Sequence, residues 1–382
     1  MAEPIYLDYN ATTPTAPEVE EAMARARHEA WGNPSSAHAH GRRARAVVER
    51  ARQQVADLLG CHTDEVIFTS GGTESDNAAV FGVAGALEAR GRHVVISKIE
   101  HPAVERACAL LERRGWSVTR VGVDADGRVS AAEVVAAVRS DTALVSIMHS
   151  NNETGVLQPV SELGRALRRR SVVVHCDAAQ SVGKLPVRVD EIQADLLTVA
   201  GHKLYAPKGV GALYLRRGTP FEPLLHGAGH ERGQRSGTES AELIAGLGAA
   251  CELAGREIDG RVAHLTALRD RLERRIRERL PEIVVHGGRV ERLPNTLYVA
   301  LPGVDANRLL AGLDGVAAGS GAACHSGASE PSRVLRAMGV PDDLAVCTLR
   351  LTVGRPTTDA EVDAAAEQIA LRAAALGAEA RA

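Results

Sequence analysis

Between about residues 65 and 215 the chain alternates short apolar runs with longer amphipathic ones. The runs at 66–69, 94–97, 143–148, 172–176 and 196–199 read as buried strands. Helical patterns lie between most of them, at 78–89, 102–114 and 160–170. Strand–helix alternation predicts an α/β fold: a mainly parallel sheet with helices on both faces. Beyond about residue 260 the pattern changes. A charged amphipathic helix is predicted over 261–280, then strand-like runs at 283–286 and 296–301, and an Ala-rich helical pattern over 360–382. With an N-terminal strand these predict a second, smaller α+β domain, and 382 residues suffice for two domains. The expected division is 15–260 for the large domain and 1–14 with 261–382 for the small one.

In parallel sheets ligands bind beyond the carboxyl ends of the strands, so the residues just past each run carry the information. They are Ser70-Gly71-Gly72-Thr73, Glu100-His101, His149-Ser150-Asn151-Asn152-Glu153, Asp177-Ala178-Ala179-Gln180 and Gly201-His202-Lys203. Five strand ends thus present a phosphate-type loop, a histidine, amides, an aspartate and a lysine.

Composition narrows the field. Hydrophobic residues make up 45% and charged residues 24%, an ordinary globular profile. A formal net charge of −3 creates no field favouring nucleic acid or an anionic membrane. Basic runs such as Arg168-Arg169-Arg170 fall on helical patterns and read as solvated faces. No stretch approaches the ~20 apolar residues of a membrane helix, and residues 1–10 lack the regions of a signal peptide, so a cytoplasmic enzyme is expected. The six cysteines contain no Cys-x-x-Cys pair, which predicts neither a metal site nor a disulfide framework, and a reducing compartment fits. Only four of the 45 basic residues are lysines: Lys98, Lys184, Lys203 and Lys208. Arginine replaces lysine wherever charge alone matters, but it cannot form a Schiff base or readily lose its proton. The lysines that remain are therefore of interest.

Each motif also has a plain structural reading. Ser70-Gly71-Gly72-Thr73 joins a strand to a helix, where free N–H groups and the helix dipole favour an anion, but a tight turn would look the same. It lacks the lysine of a P-loop and the spacing of a dinucleotide fingerprint. Gly227-Ala228-Gly229 has no apolar strand feeding it. Asp177, near the centre of the sheet, needs a cationic partner to stay charged; a protonated pyridine nitrogen or an arginine would serve, as would a helix-capping role. His101 is either a structural histidine or a ring that stacks on a flat cofactor or shuttles a proton. Lys203 is either a surface lysine or, with its pKa lowered by burial, an amine for a carbonyl cofactor.

Taken together, Tyr6-Leu7-Asp8-Tyr9-Asn10-Ala11-Thr12-Thr13-Pro14, Gly32-Asn33-Pro34-Ser35-Ser36, residues 68–77, Glu100-His101, Asn151-Asn152-Glu153, residues 177–180, Gly201-His202-Lys203, Arg235-Ser236-Gly237-Thr238 and Gly321-Ala322-Ala323-Cys324 resemble the cysteine desulfurases of the NifS and IscS type. These are fold-type-I pyridoxal-phosphate enzymes of aminotransferase class V. The resemblance runs nearly end to end and implies a seven-stranded sheet between helices, with a small domain carrying a catalytic cysteine loop. It implies that Lys203 holds pyridoxal 5'-phosphate covalently and moves protons. It also implies that His101 stacks on the ring, Asp177 pairs with its nitrogen and Gln180 bonds its phenolic oxygen. Gly72, Thr73 and His202 would hold the phosphate, with Thr238 reaching in from the other subunit of a homodimer. Asn152 and Arg350 would bind the substrate carboxylate, a task suited to a planar guanidinium. Relatives often carry a serine before Gly-His-Lys as a further phosphate ligand; here it is Ala200.

Cys324 implies the reaction class. Its thiolate would take sulfur from L-cysteine as a persulfide, leaving L-alanine, and would need a lowered pKa or a nearby base. His325 is adjacent, although a solvated loop histidine is the plainer reading. The small polar residues from Gly319 to Ser329 suggest a mobile loop that carries sulfur to a protein acceptor, and a long loop here marks the IscS-like group. Iron–sulfur scaffolds, tRNA-thiolation carriers and DNA-phosphorothioation proteins all draw on such donors. Selenocysteine lyase remains an alternative, since 10–14, 292–296 and 322–326 resemble it too. A class V aminotransferase would give no reason for Cys324, and a non-catalytic sulfur-pathway scaffold would give none for the set Lys203, His101, Asp177 and Cys324.

Overall fold

Valine, isoleucine and leucine crowd the central strand segments on both faces, so these strands are stable only between two layers of helices. The computed structural model describes residues 3–320, 322–325 and 328–379, the side chains of 322–325, 328–330 and 378–379 excepted. Its strands are β1 (Ile5–Leu7), β2 (Val66–Thr69), β3 (His93–Ser97), β4 (Ser117–Val121), β5 (Thr142–Ser146), β6 (Val173–Asp177), β7 (Leu196–Ala200), β8 (Gly211–Leu215), β9 (Val284–Val285), β10 (Thr296–Ala300), β11 (Val316–Ser320), β12 (Ala322–His325), β13 (Ala328–Pro331) and β14 (Thr348–Thr352).

Seven strands form one sheet in the order β2-β8-β7-β6-β5-β3-β4. All its pairings are parallel except those of β8, which runs against both β2 and β7. Alternation along the strands sends Val94, Ile96, Leu144, Leu196 and Leu213 to one face, against the helices Gly72–Leu87 and Pro102–Arg113. Val95, Val145, Val174, Leu197 and Val199 go to the other, in the core with Val48, Val55 and Leu163 from the helices Ala39–Leu59 and Val160–Leu167. Each such side chain contributes roughly 1.5–3 kcal/mol by leaving water.

A five-stranded sheet, β1-β11-β14-β10-β9, packs its own core of Leu297, Val299, Leu349, Leu351 and Ile369. The helix predicted over 261–280 is the second half of one 39-residue helix, Ala241–Arg279, capped by Ser240. Its first half packs on the large core through Leu247, Ala250 and Leu253, its second on the small core through Leu265, Leu272 and Ile276. The first half is rich in Ala and Gly because it lies close to the helix Ala39–Leu59. A Cβ on Gly248 would sit 2.6 Å from the Ala51 backbone.

Two strands of the seven-stranded sheet have no counterpart in the sequence reading, nor do β11 and β14 of the five-stranded one. β4 is an edge strand that pairs only with β3 and keeps an amphipathic, half-buried pattern. β8 is short and returns antiparallel, outside the strand–helix rhythm. The segment around Cys324, expected as a mobile loop of unspecified conformation, pairs its backbone as the two-stranded hairpin β12–β13, with Cys324 opposite Ser329. Local antiparallel pairing satisfies backbone N–H and C=O groups that an open loop would leave to water. Among the described residues no helix is long and apolar enough to cross a membrane.

Candidate active site

The carboxyl ends of β2, β3, β5, β6 and β7 open onto a cavity of about 550 Å³, within the range of small-molecule sites. Gly72, Thr73, His101, Asn152, Asp177, Gln180, His202 and Lys203 all line it, together with Ala200. Eight residues expected from separate motifs therefore meet in one place. A second cavity of about 560 Å³ lies between the helices Pro17–Glu29, Ala39–Leu59 and Ala241–Arg279 and holds none of them.

One wall is a helix start. Gly71 has φ 145° and ψ −177°, a conformation essentially restricted to glycine. It turns the chain so that the helix Gly72–Leu87 begins at the cavity with no side-chain cap on its first N–H groups. Those groups and the helix dipole favour an anion. The nearby carboxylate of Glu74 is held by Arg235 (2.8 Å) and by the Ser70 N–H (2.8 Å). His202 joins the same wall with Nδ1 3.1 Å from the Thr12 hydroxyl, and burial beside Lys203 lowers its pKa to about 4. A Cβ on Gly72 would lie 3.1 Å from the Ala200 methyl, so the end of β7 lies against the helix start, and Ala200 offers no hydroxyl there.

The floor is acidic. Asp177 ends β6 and, among the described residues, its carboxylate accepts only the Ala179 N–H (2.9 Å). Burial raises its carboxyl above the usual range, with His101 and Lys203 opposing the rise. Asp76 is fully buried, and its Oδ1 has no hydrogen-bond partner among the described residues. Burial and the neighbouring Asp177 push its pKa well up. Glu100 accepts from Ser97 and from the Met148 N–H, and burial raises its pKa to about 8. Among the described residues no arginine or lysine forms an ion pair with any of the three. His101 lies over this floor, its Nδ1 accepting the Ala103 N–H (3.2 Å), and burial lowers its pKa.

Lys203 brings an amine to the same cavity. Lys203, in the 3₁₀ turn after β7, donates to the Asn10 carbonyl at 2.6 Å. Burial and the guanidinium of Arg350 lower its pKa to about 8. Lys184 is a second buried amine, 4% exposed, donating at 2.8 Å to both Asn10 Oδ1 and Gln180 Oε1. Gln180 in turn donates from Nε2 to the Asn10 carbonyl (2.9 Å).

Two expected residues stand apart from the cavity lining. Arg350, on β14, is paired with Asp8 at 2.8 Å and donates to the Asn152 carbonyl at 3.2 Å. Its Nε–H is buried without a partner among the described residues. It does not line the cavity itself. Thr238 is exposed on a turn outside the cavity. The side chains of Cys324 and His325 lie outside the described residues.

Sequence reading gave no role to Asn10, Asp8, Asp76 or Lys184. Asn10 and Asp8 stood inside a quoted motif, and Lys184 carried one signal, the scarcity of lysine. Asp76 likewise stood inside a quoted motif, residues 68–77.

These residues fit pyridoxal phosphate. The uncapped helix start suits its phosphate, the raised carboxylates lack the cation that its protonated ring nitrogen would supply, and the lowered amine of Lys203 suits its aldehyde.

The family described as Aminotransferase class-V matches residues 5–365. A cysteine desulfurase IscS of Dictyoglomus turgidum is 45% identical over 365 residues, covering 95% of this chain and 93% of that one. Among solved structures, a NifS-like protein superposes with TM-score 0.89 at 36% identity, covering 96% of this chain and 98% of that chain. SspA in complex with cysteine does so at 0.81 and 34%, covering 91% and 98%.

Proposed function

The chain belongs to the class-V aminotransferase family and is a pyridoxal-phosphate-dependent cysteine desulfurase; we propose the following division of labour among its residues. Pyridoxal phosphate, when bound, supplies an electron sink for chemistry at the substrate α-carbon. Lys203 would hold it through Nζ and would move the proton at the substrate α-carbon. Asp177 would pair with the ring nitrogen, His101 would stack on the ring, and Gln180 would donate its second Nε2–H to the ring oxygen. Gly72, Thr73 and His202 hold the phosphate. The free Nε–H of Arg350 and the amide of Asn152 receive the carboxylate of L-cysteine. The observation that carries the reading is the lowered amine of Lys203 in the same cavity as the raised carboxyl of Asp177.

The Cys324 thiolate attacks the substrate sulfur. The Cβ–S bond breaks, sulfur leaves as a persulfide on Cys324, and the carbon skeleton takes up protons and departs as L-alanine. Support comes from the other five cysteines, four of them buried and one half-buried. Burial raises all five thiols, Cys61 and Cys251 to about 12, so none of them is a ready thiolate near neutral pH. The proposal includes a small domain of residues 1–14 and 261–382 beside a large one of 15–260, supported by the change of core along the Ala241–Arg279 helix. It includes a homodimer in which Thr238 of each chain completes the phosphate site of the other, supported by its exposure outside its own cavity. It also includes a cytoplasmic location and a protein acceptor for the persulfide.

Cys324→Ser tests the division, because a hydroxyl is a weak nucleophile at neutral pH. The variant should stay yellow and shift its spectrum with cysteine, yet release almost no alanine. Wild-type protein should gain one reductant-labile sulfur on the Cys324 peptide. Pyruvate and sulfide as products, with near-normal turnover in the variant, would refute the role of Cys324.

A further inference from the structure

Lys184 is one of four lysines in the chain and is buried where the assigned chemistry does not use it. It lies one tight turn after Gln180, in a segment closed by Ser181 N–H to Ala178 and Lys184 N–H to Ser181. Its amine makes two hydrogen bonds, to Asn10 Oδ1 and Gln180 Oε1, both at 2.8 Å. Among the described residues no carboxylate pairs with it, and the charged groups acting on it, Lys203 and Arg350, are both positive. A neutral amine has two N–H donors, an ammonium three. The two acceptors match the neutral form, and burial disfavours the charged one.

The direction of these bonds matters. Both N–H groups of this amine point at carbonyl oxygens, so Gln180 must turn Oε1 toward Lys184. Its NH₂ then points the other way, to the Asn10 carbonyl at 2.9 Å. That same oxygen accepts from Lys203 at 2.6 Å. Asn10 is fixed as well: its Oδ1 takes Lys184 and Asn295, and its Nδ2 reaches Thr296 at 2.9 Å.

We propose that Lys184 is a positioning residue for the reactive centre, a buried amine that sets which end of the Gln180 carboxamide faces Lys203 and the bound cofactor. It touches neither substrate nor cofactor and acts through Gln180 and Asn10. The inference rests on the reading above in which Gln180 donates to the cofactor ring oxygen.

The test is the pH at which the visible absorption of the purified holoenzyme titrates. Gln180→Leu removes the donor and should move the midpoint by about one pH unit, the size of one hydrogen bond to a charged group. Lys184→Met removes the latch at similar length. It should move the midpoint in the same direction by at least half as much, and the double variant should move no further than Gln180→Leu alone. If Lys184→Met fails to fold, Lys184→Gln keeps the niche polar but can offer Gln180 either a donor or an acceptor, so it weakens the latch without abolishing it, and a smaller shift in the same direction is expected. A folded Lys184 variant with the wild-type midpoint, beside a shifted Gln180→Leu, overturns the proposal, as do additive shifts in the double variant. An unshifted Gln180→Leu instead removes the role given to Gln180, and the role of Lys184 with it.

Discussion

Two buried charged regions of this molecule are built in opposite ways. Where β2 begins, Arg52 and Glu231 meet through two bonds of 2.7 and 2.8 Å, both side chains almost fully buried. Their remaining groups are also used: Arg52 donates to the Val66 carbonyl (2.8 Å) and Glu231 accepts the Phe68 N–H (2.9 Å). At the cavity, Asp177, Asp76 and Lys203 line the wall, Glu100 and Lys184 are buried next to the lining residues His101 and Gln180, and among the described residues no carboxylate pairs with either lysine. The first region shows that this fold can pair buried charges when pairing serves structure. The cavity keeps acid and amine apart, so burial raises the carboxyls and lowers the amines. Direct Asp177–Lys203 pairing would drive both pKa values the opposite way and leave the lysine a poor nucleophile.

The comparison breaks most sharply at Lys203. Lys203→Ala should reduce alanine formation by roughly 10⁴-fold or more, since it removes both the covalent anchor and the proton carrier. In wild-type protein, borohydride reduction should fix the cofactor on the Lys203 peptide. A tag on Lys98, Lys184 or Lys208 would contradict the assignment. Next in size is Asp177→Asn, which should keep the cofactor bound but lower turnover roughly 10³-fold, the scale of losing one preorganised electrostatic partner. Activity within a few-fold of wild type would mean that the floor carboxylate serves structure only.

On the paired side, Glu231→Gln leaves the buried Arg52 charge with only the exposed Glu49 carboxylate (3.2 Å) as counter-ion and should destabilise the protein by about 3 kcal/mol. The thermal midpoint should fall while the visible spectrum at 25 °C is unchanged. An altered spectrum would mean that the two regions are coupled. The smallest effect sharpens the amine side. Only the neutral amine attacks an aldehyde, so capture of pyridoxal phosphate by the apoprotein should rise with pH through about 8, the lowered value of Lys203. Arg350→Gln removes a nearby positive charge and leaves Asp8 unpaired; both changes help Lys203 keep its proton. The midpoint should therefore move to higher pH, by about one unit for a neighbouring charge, and an unmoved midpoint would assign the lowering to burial alone.

The strand–helix rhythm and the residues after each strand were legible in the chain itself. A strand end in a parallel sheet has one place to point, so local sequence suffices to list what faces the cavity: Gly72, His101, Asn152, Asp177 and Lys203 follow from their positions after β2, β3, β5, β6 and β7. Gln180 and His202 came with the same segments. The edge strand β4 and the reversed β8 did not follow, because neither carries the fully apolar, helix-flanked pattern of the central strands.

What the tertiary structure alone decided is how these residues are wired. Asn10 and Lys184 stand 174 positions apart, Asp8 and Arg350 342 apart, and nothing in the local pattern of either segment announces the other. The same holds for charge state. Sequence supplies the ionisable group, but whether Asp177 is raised or Lys203 lowered depends on how much water and which neighbours surround it after folding. Residue identity and order along the chain thus named the chemistry, while burial and long-range contact, which exist only in the folded chain, determined which groups stay unpaired to carry it out.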